Sequence, residues 1–219
     1  MKTLLIRNET EADHKAVERL TREAFWNVNV PGCEEHYLAH ILRKHEDFVP
    51  ELDFVAELDG KLIGNVMYTR ARLVSGAMED LDILTFGPVS ILPEYQRQGW
   101  GKRLLEHSFQ MAAKLGYPAI VIFGNPDNYI GRGFQSCRKY RVRTEEGGYP
   151  AAMLVKELKP GILAGRSWVY HESAAYRYDS GAAEAFDRQF EPKEKAWRPS
   201  QEMFYILSHS SVSDESIEK

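Results

Sequence analysis

The sequence predicts a mixed α/β domain, and three patterns predict it. Apolar residues recur at helical spacing near the start, a period-two hairpin follows, and a strand, turn, helix and strand then succeed one another. With 219 residues, 43% apolar and 27% charged, the chain can bury the core of one ordinary globular domain.

Residues 2–7 read as a short strand, and Thr10-Glu11-Ala12-Asp13 resembles a capping box opening a helix. Val17, Leu20 and Ala24 supply that helix with a core face. Leu38, Ile41 and Leu42 mark a second helix over residues 34–45, with Pro31-Gly32 between the two. Around Asp59-Gly60 the period changes to two. Phe54, Ala56 and Leu58 lie on one side and Leu62, Val66 and Tyr68 on the other, which is a hairpin.

A third strand is expected over residues 81–92, ended by Pro93. Gly87-Pro88 within it cannot keep regular pairing, so a bulge or splay is expected that leaves backbone groups of residues 89–91 free. A helix over residues 99–115 follows, with Leu104, Leu105, Ser108, Met111, Ala112 and Leu115 inward and Gly116 and Pro118 closing it. A buried strand over residues 119–123 completes a crossover, which sets the helix N-terminus at the carboxyl end of the preceding strand, where ligands bind.

Residues 1–159 therefore read as one core and residues 160–219 as a C-terminal extension. Its polar, serine-rich end, residues 208–219, is expected to be frayed. No apolar run approaches the roughly 18 residues of a membrane span, and the three-residue apolar stretch at the start falls short of a signal peptide. Cys33 and Cys137 have no metal-ligand spacing, so neither a metal site nor a disulfide is expected, and the cytoplasm is the expected compartment. A net charge of -4 argues against nucleic acid as partner.

The segment Gln96-Arg97-Gln98-Gly99-Trp100-Gly101-Lys102 sits where the strand turns into the helix. The first helical N–H groups lack intrahelical acceptors and carry the positive end of the helix dipole, so they suit an anion. Gly99 and Gly101 remove Cβ atoms from the turn, and Arg97, Lys102 and Arg103 add positive charge. Two other phosphate motifs fail on position. A Walker A loop would need glycine at Gln96 and Ser or Thr at Arg103, and a dinucleotide fingerprint would need glycine at Leu104.

Gln96-x-x-Gly99-x-Gly101 resembles the acetyl-CoA signature of the GNAT superfamily of N-acetyltransferases, and Tyr129-Ile130-Gly131-Arg132-Gly133-Phe134 resembles that family's Tyr-x-x-x-Gly-Phe element. The resemblance covers residues 2–158, including a last strand over residues 151–158. It implies a mostly antiparallel sheet with a splayed parallel strand pair and helices on both faces. It also implies acetyl-CoA as co-substrate, without a metal, and transfer of the acetyl group to a primary amine. Backbone groups of Val89 and Ile91 would pair with the pantetheine arm, Gln96, Arg97, Gln98, Gly99, Trp100, Gly101 and Lys102 would hold the pyrophosphate, and Asn125 would contact the pantetheine end. Tyr129 would be the acid that protonates the thiolate.

The general base is left open among Asp80, Asp82, Glu34 and Glu35, and the family's position on the strand falls at Ile83. His36, His40, His45 and His107 read as helix-surface residues, and Trp26, Tyr37, Tyr68, Trp168, Tyr170 and Trp197 as core or interface aromatics. The acceptor is read as a small-molecule amine or a protein amine, and a homodimer is compatible with that. The alternative is a non-catalytic acyl-CoA-binding sensor or assembly module. A nucleotide-binding protein is weakened by the two failed glycine patterns.

Overall fold

The computed structural model describes residues 3–76 and 79–213, so Lys2 of the first expected strand and residues 214–219 of the expected polar tail lie outside the described residues. The chain runs β1 (Leu4–Asn8), α1 (His14–Phe25), α2 (Glu35–Leu42), β2 (Phe54–Leu58), β3 (Lys61–Val74), β4 (Leu81–Ile91), α3 (Trp100–Lys114) and β5 (Ala119–Phe123). Then come α4 (Pro126–Tyr129), β6 (Gln135–Ser136), β7 (Val142–Arg143), β8 (Met153–Glu157), β9 (Trp168–His171), α5 (Ser180–Asp187) and α6 (Pro199–Ser208).

The strands form one sheet, ordered β1-β2-β3-β4-β5-β8-β6, with β9 paired to β3 and β7 paired to β9. Antiparallel pairing dominates; β4 with β5 and the short β7 with β9 are parallel. The hairpin turn falls at Asp59-Gly60, where both residues take positive φ (51° and 83°), as the twist of a two-residue hairpin demands. Thr10 does begin a capped turn, its N–H and hydroxyl both donating to the Asp13 carboxylate at 2.9 and 2.6 Å, but a 3-10 turn over Glu11–Asp13 precedes α1.

One face of the sheet packs on α3 through Leu104, Leu105, Phe109 and Ala112, against Phe54, Val66, Tyr68, Leu84, Phe86 and Ile120. Each large side chain so buried contributes about 1.5–3 kcal/mol. The inner face differs from the expected one at two positions: Phe109 is buried, and Leu115, at the C-cap where α3 ends, is 47% exposed. The other face carries α1 and α2, where Thr21 bridges Asn65 of β3 and Ser90 of β4 at 3.2 Å each.

Residues after 159 return to the sheet. β3 is long enough to hold β2 along its first half and β9 along its last three residues, with Leu73 opposite Tyr170. Trp168 and Tyr170 are buried there, and α5 reaches back to α1 through Asp187, whose carboxylate takes the Arg22 Nε at 2.6 Å. Among the described residues, no helix is long and apolar enough to cross a membrane.

Candidate functional site

The Gly87-Pro88 pair interrupts pairing as its chemistry requires. Val66 faces Val89 and Tyr68 faces Phe86, so one residue of β3 spans two of β4, which is a bulge. Beyond it β4 leaves its parallel partner: among the described residues, β4 and β5 register only at Leu84 and Ile120. The Leu92 N–H donates to the Ile63 carbonyl at 2.8 Å, and Ser90 pairs with Asn65. By the alternation of a strand, the backbone groups of Val89 and Ile91 therefore point away from β3, into the gap toward β5. One of them is taken, because the Gln96 side-chain amide turns back and donates to the Ile91 carbonyl at 2.9 Å.

That contact gives Gln96 a structural task, closing the turn between β4 and α3. Gln98 does the same from the other end, its amide donating to the Glu94 carbonyl at 2.8 Å. Arg97 and Gly99 both sit at positive φ (60° and 87°), and Gly99 is the N-cap of α3. Nothing lies within 4 Å of where a Gly99 Cβ would be, so backbone conformation is what demands glycine there, and the space above the turn is open. A Cβ at Gly101 would meet Ile91 Cγ1 at 3.3 Å, so this glycine lets α3 pack on β4. The first helical bond runs from the Arg103 N–H to the Gly99 carbonyl at 3.1 Å, and the N–H groups before it have no acceptor within the helix. Trp100 tucks its ring into the core, whereas Arg97 and Lys102 are exposed, with Lys102 Nζ 3.7 Å from Glu106. The turn can thus hold an anion mainly through backbone dipoles, with mobile charge around it.

Asn125 and Tyr129 lie just beyond β5. The Asn125 side-chain oxygen accepts the Asp127 N–H at 3.0 Å and caps α4, which leaves its NH2 group to donate outward. The Tyr129 ring packs on Phe86 and Phe134, with centroids at 5.8 and 5.7 Å. Burial pushes its phenol up to about 12. Its placement depends on Gly124, where a Cβ would come within 2.6 Å of the ring, a requirement the sequence motif alone does not reveal.

The carboxylates considered as bases scatter. Asp82 is exposed and bound to Arg72 at 3.3 Å, at the far end of β4 from the bulge. Glu35 accepts Asn29 Nδ2 at 2.9 Å and the Glu34 N–H at 3.1 Å. Ile83 is fully buried in the core. His36 requires a correction: it is completely buried, because α5 covers its side of α2 and packs Phe186 on the ring. It stands 3.5 Å from Cys33 Sγ and 3.1 Å from Asp187, in the order of a nucleophile relay. Burial raises the Cys33 thiol well above its ordinary range and lowers His36 to about 4, so both are neutral near pH 7 and the set is structural. Among the aromatics, Tyr68, Trp168 and Tyr170 are core residues, and Trp197 is exposed.

Comparison with known proteins places this geometry. A profile described as the Acetyltransferase (GNAT) family matches residues 18–134, which take in the bulge, the turn and Tyr129. The uncharacterized N-acetyltransferase YhbS of Escherichia coli strain K12 is 30% identical over 172 residues, 77% of this chain and 97% of that protein. The uncharacterized N-acetyltransferase YjhQ of the same strain is 28% identical over 124 residues, so the match spans 57% of this chain and 65% of that protein. Two solved structures share the fold. The E. coli protein YhbS in complex with CoA superposes with a TM-score of 0.69 at 24% identity, covering 81% of this chain and 94% of that one. A GNAT family acetyltransferase from Brucella melitensis in complex with acetyl-CoA does so with a TM-score of 0.61 at 22% identity, covering 80% and 98%. The chain belongs to the GNAT family of acetyltransferases.

Proposed function

We propose that the protein moves the acetyl group of acetyl-CoA to a primary amine by direct attack within a ternary complex. The observation that carries this reading is the single register point between β4 and β5, beyond which the strands part and present backbone groups to each other across a gap. A pantetheine arm can pair with Val89 and Ile91 in such a gap, while the N–H groups of residues 96–102 and the Arg97 and Lys102 charges receive the pyrophosphate. The outward NH2 of Asn125 is suited to the pantetheine amides. The CoA and acetyl-CoA complexes of the two fold neighbours support the same assignment.

In the reaction the amine nitrogen forms the C–N bond and sheds a proton to water, backbone N–H groups near Val89 stabilise the oxyanion, and the C–S bond breaks. Tyr129 then gives its proton to the sulfur. Its elevated pKa keeps it protonated throughout the neutral range, at a transfer cost of about 1.4 kcal/mol for each unit by which it exceeds the thiol. The acceptor is a small-molecule amine or an amine carried on a protein.

Thermal shift with acetyl-CoA, CoA, ATP and NAD tests the donor half. Acetyl-CoA and CoA are expected to raise the melting temperature, by about 2.7 kcal/mol of stability at a hundredfold excess over Kd, and ATP and NAD are not. Release of CoA thiol with polyamines, amino acids, aminoglycosides and peptides tests the acceptor half. Tyr129→Phe is expected to slow it by about 10²-fold or more. An undiminished rate removes Tyr129 from the acid role, and stabilisation without turnover on any amine favours an acyl-CoA-binding module instead.

A further inference from the structure

The last helix of the fold has no polar side. Within α6 only Gln201 is buried, while Met203, Phe204, Tyr205 and Ile206 stand in succession between 42% and 63% exposed, so at about 100° per residue they ring most of the helix. A helix apolar all round is stable only where something covers it. This one is no loose tail. At its start the Gln201 amide donates to the Asn27 and Ala196 carbonyls at 3.1 and 3.0 Å, and the Ser200 hydroxyl donates to the Val28 carbonyl at 2.8 Å. Past its end the Ala151 N–H donates to the Ser210 carbonyl at 2.9 Å, and the Val212 N–H donates to the Tyr149 carbonyl at 2.8 Å. Both ends are pinned.

Size and chemistry narrow what the cover is. With Val28, Val30 and Trp197, which flank the start of the helix, these side chains leave roughly 800 Å² open to water, the share each partner gives to a standard interface. The largest patch on an ordinary monomer is about 300–600 Å². Residues 214–219 hold one apolar side chain, Ile217, too little to cover it. A lipid surface calls for Lys or Arg along the helix, and residues 199–208 hold none. Their one charge is Glu202, so two copies meet with little repulsion. The relief also suits a copy. Toward the body, Phe204 and Tyr205 form with Val30 and Pro31 a groove of about 330 Å³, while Met203 and Ile206, three residues apart and across the helix from Gln201, form a ridge.

We propose that α6 and its flanks are the interface of a homodimer, in which a second copy of this chain covers Met203, Phe204, Tyr205 and Ile206. A twofold axis makes the contact isologous, so each copy gives and receives the same apolar surface and no part of it is left over for a third. Because Gln201 and Ser200 hold Asn27 and Val28, the contact also fixes the connection between α1 and α2. The inference stands on the exposed helix and is independent of the acetyl-transfer reading above.

The test is sedimentation equilibrium of the full chain, which is expected to show twice the chain mass at about 10 µM. Met203→Glu with Ile206→Glu brings charge into the patch. The pair is expected to weaken the dimer by about 10²-fold or more and to leave the far-ultraviolet circular dichroism unchanged. Leu115→Glu, at an apolar residue 47% exposed at the end of α3, is expected to remain a dimer. Cys33 and Cys137 are buried, so Met203→Cys sets the reactive thiol on the patch, and a short bismaleimide is expected to join two copies. A wild-type chain that is monomeric at about 100 µM overturns the proposal, whether it then binds phosphatidylglycerol vesicles, another protein or neither. A dimer that the glutamate pair leaves intact overturns it as well. Should that variant fail to fold, a Met203→Cys chain that gives no crosslinked dimer does the same.

Discussion

The turn after β4 and the segment from β9 to Tyr176 both border the place where β4 leaves β5, yet one offers backbone and the other side chains. In the turn, contacts are short in sequence: Gln96 to Ile91 and Gln98 to Glu94, with exposed Arg97 and Lys102 outside. In the C-terminal segment they are long: Tyr176 to Gly87, Ser173 to Asp47, Asp187 to Arg22. A cofactor common to a whole family can be held by groups every residue possesses, whereas an acceptor particular to one protein needs side chains that the rest of the fold must carry into place.

The strongest way to break this comparison is to cut the long-range anchor. Asp187→Ala leaves the Arg22 guanidinium, nearly fully buried, without its carboxylate, and is expected to cost about 3–5 kcal/mol, or roughly 6–20 °C in melting temperature. Acetyl-CoA should still stabilise what remains folded, because the turn shares no contact with Asp187; calorimetry with and without the ligand checks both halves. Loss of acetyl-CoA binding would mean that the two regions are one unit.

A second change sharpens the division within the donor half. Gly124→Ala places a methyl where the Tyr129 ring lies, so the ring must move. The expected result is a fall in kcat of about 10- to 10²-fold with nearly unchanged KM for acetyl-CoA, read from steady-state kinetics. The smallest effect is expected at the exposed cations. Arg97→Ala with Lys102→Ala should leave stability unchanged and weaken acetyl-CoA binding a few-fold, less so at high salt, as titration at two ionic strengths would show.

The same contrast explains what could be read in advance. The Asp59-Gly60 hairpin, the bulge at Gly87-Pro88 and the helix from Gly99 follow from local chemistry, so the residues themselves announce them. Phe109, four residues after Leu105 and three before Ala112, shares their helical face, whereas Leu115 follows the last helical residue and is exposed. His36 reads as a surface histidine because the residues that bury it, Phe186 and Phe190, lie some 150 positions away. Tyr170 carries no motif; only the pairing of β9 with the end of β3, Tyr170 opposite Leu73, brings it to the sheet. Gly124 has a signal of a kind, a glycine between a buried strand and the Asn125-Pro126 cap, but its reason is a ring five residues on.

The most direct measurement of the central claim, that backbone groups of β4 and the turn receive acetyl-CoA, is amide hydrogen exchange with and without the ligand. Protection is predicted at Val89 and Ile91 and across residues 97–102, with none in α6. Unchanged exchange in the turn, or protection confined to other elements while acetyl-CoA is bound, would contradict it.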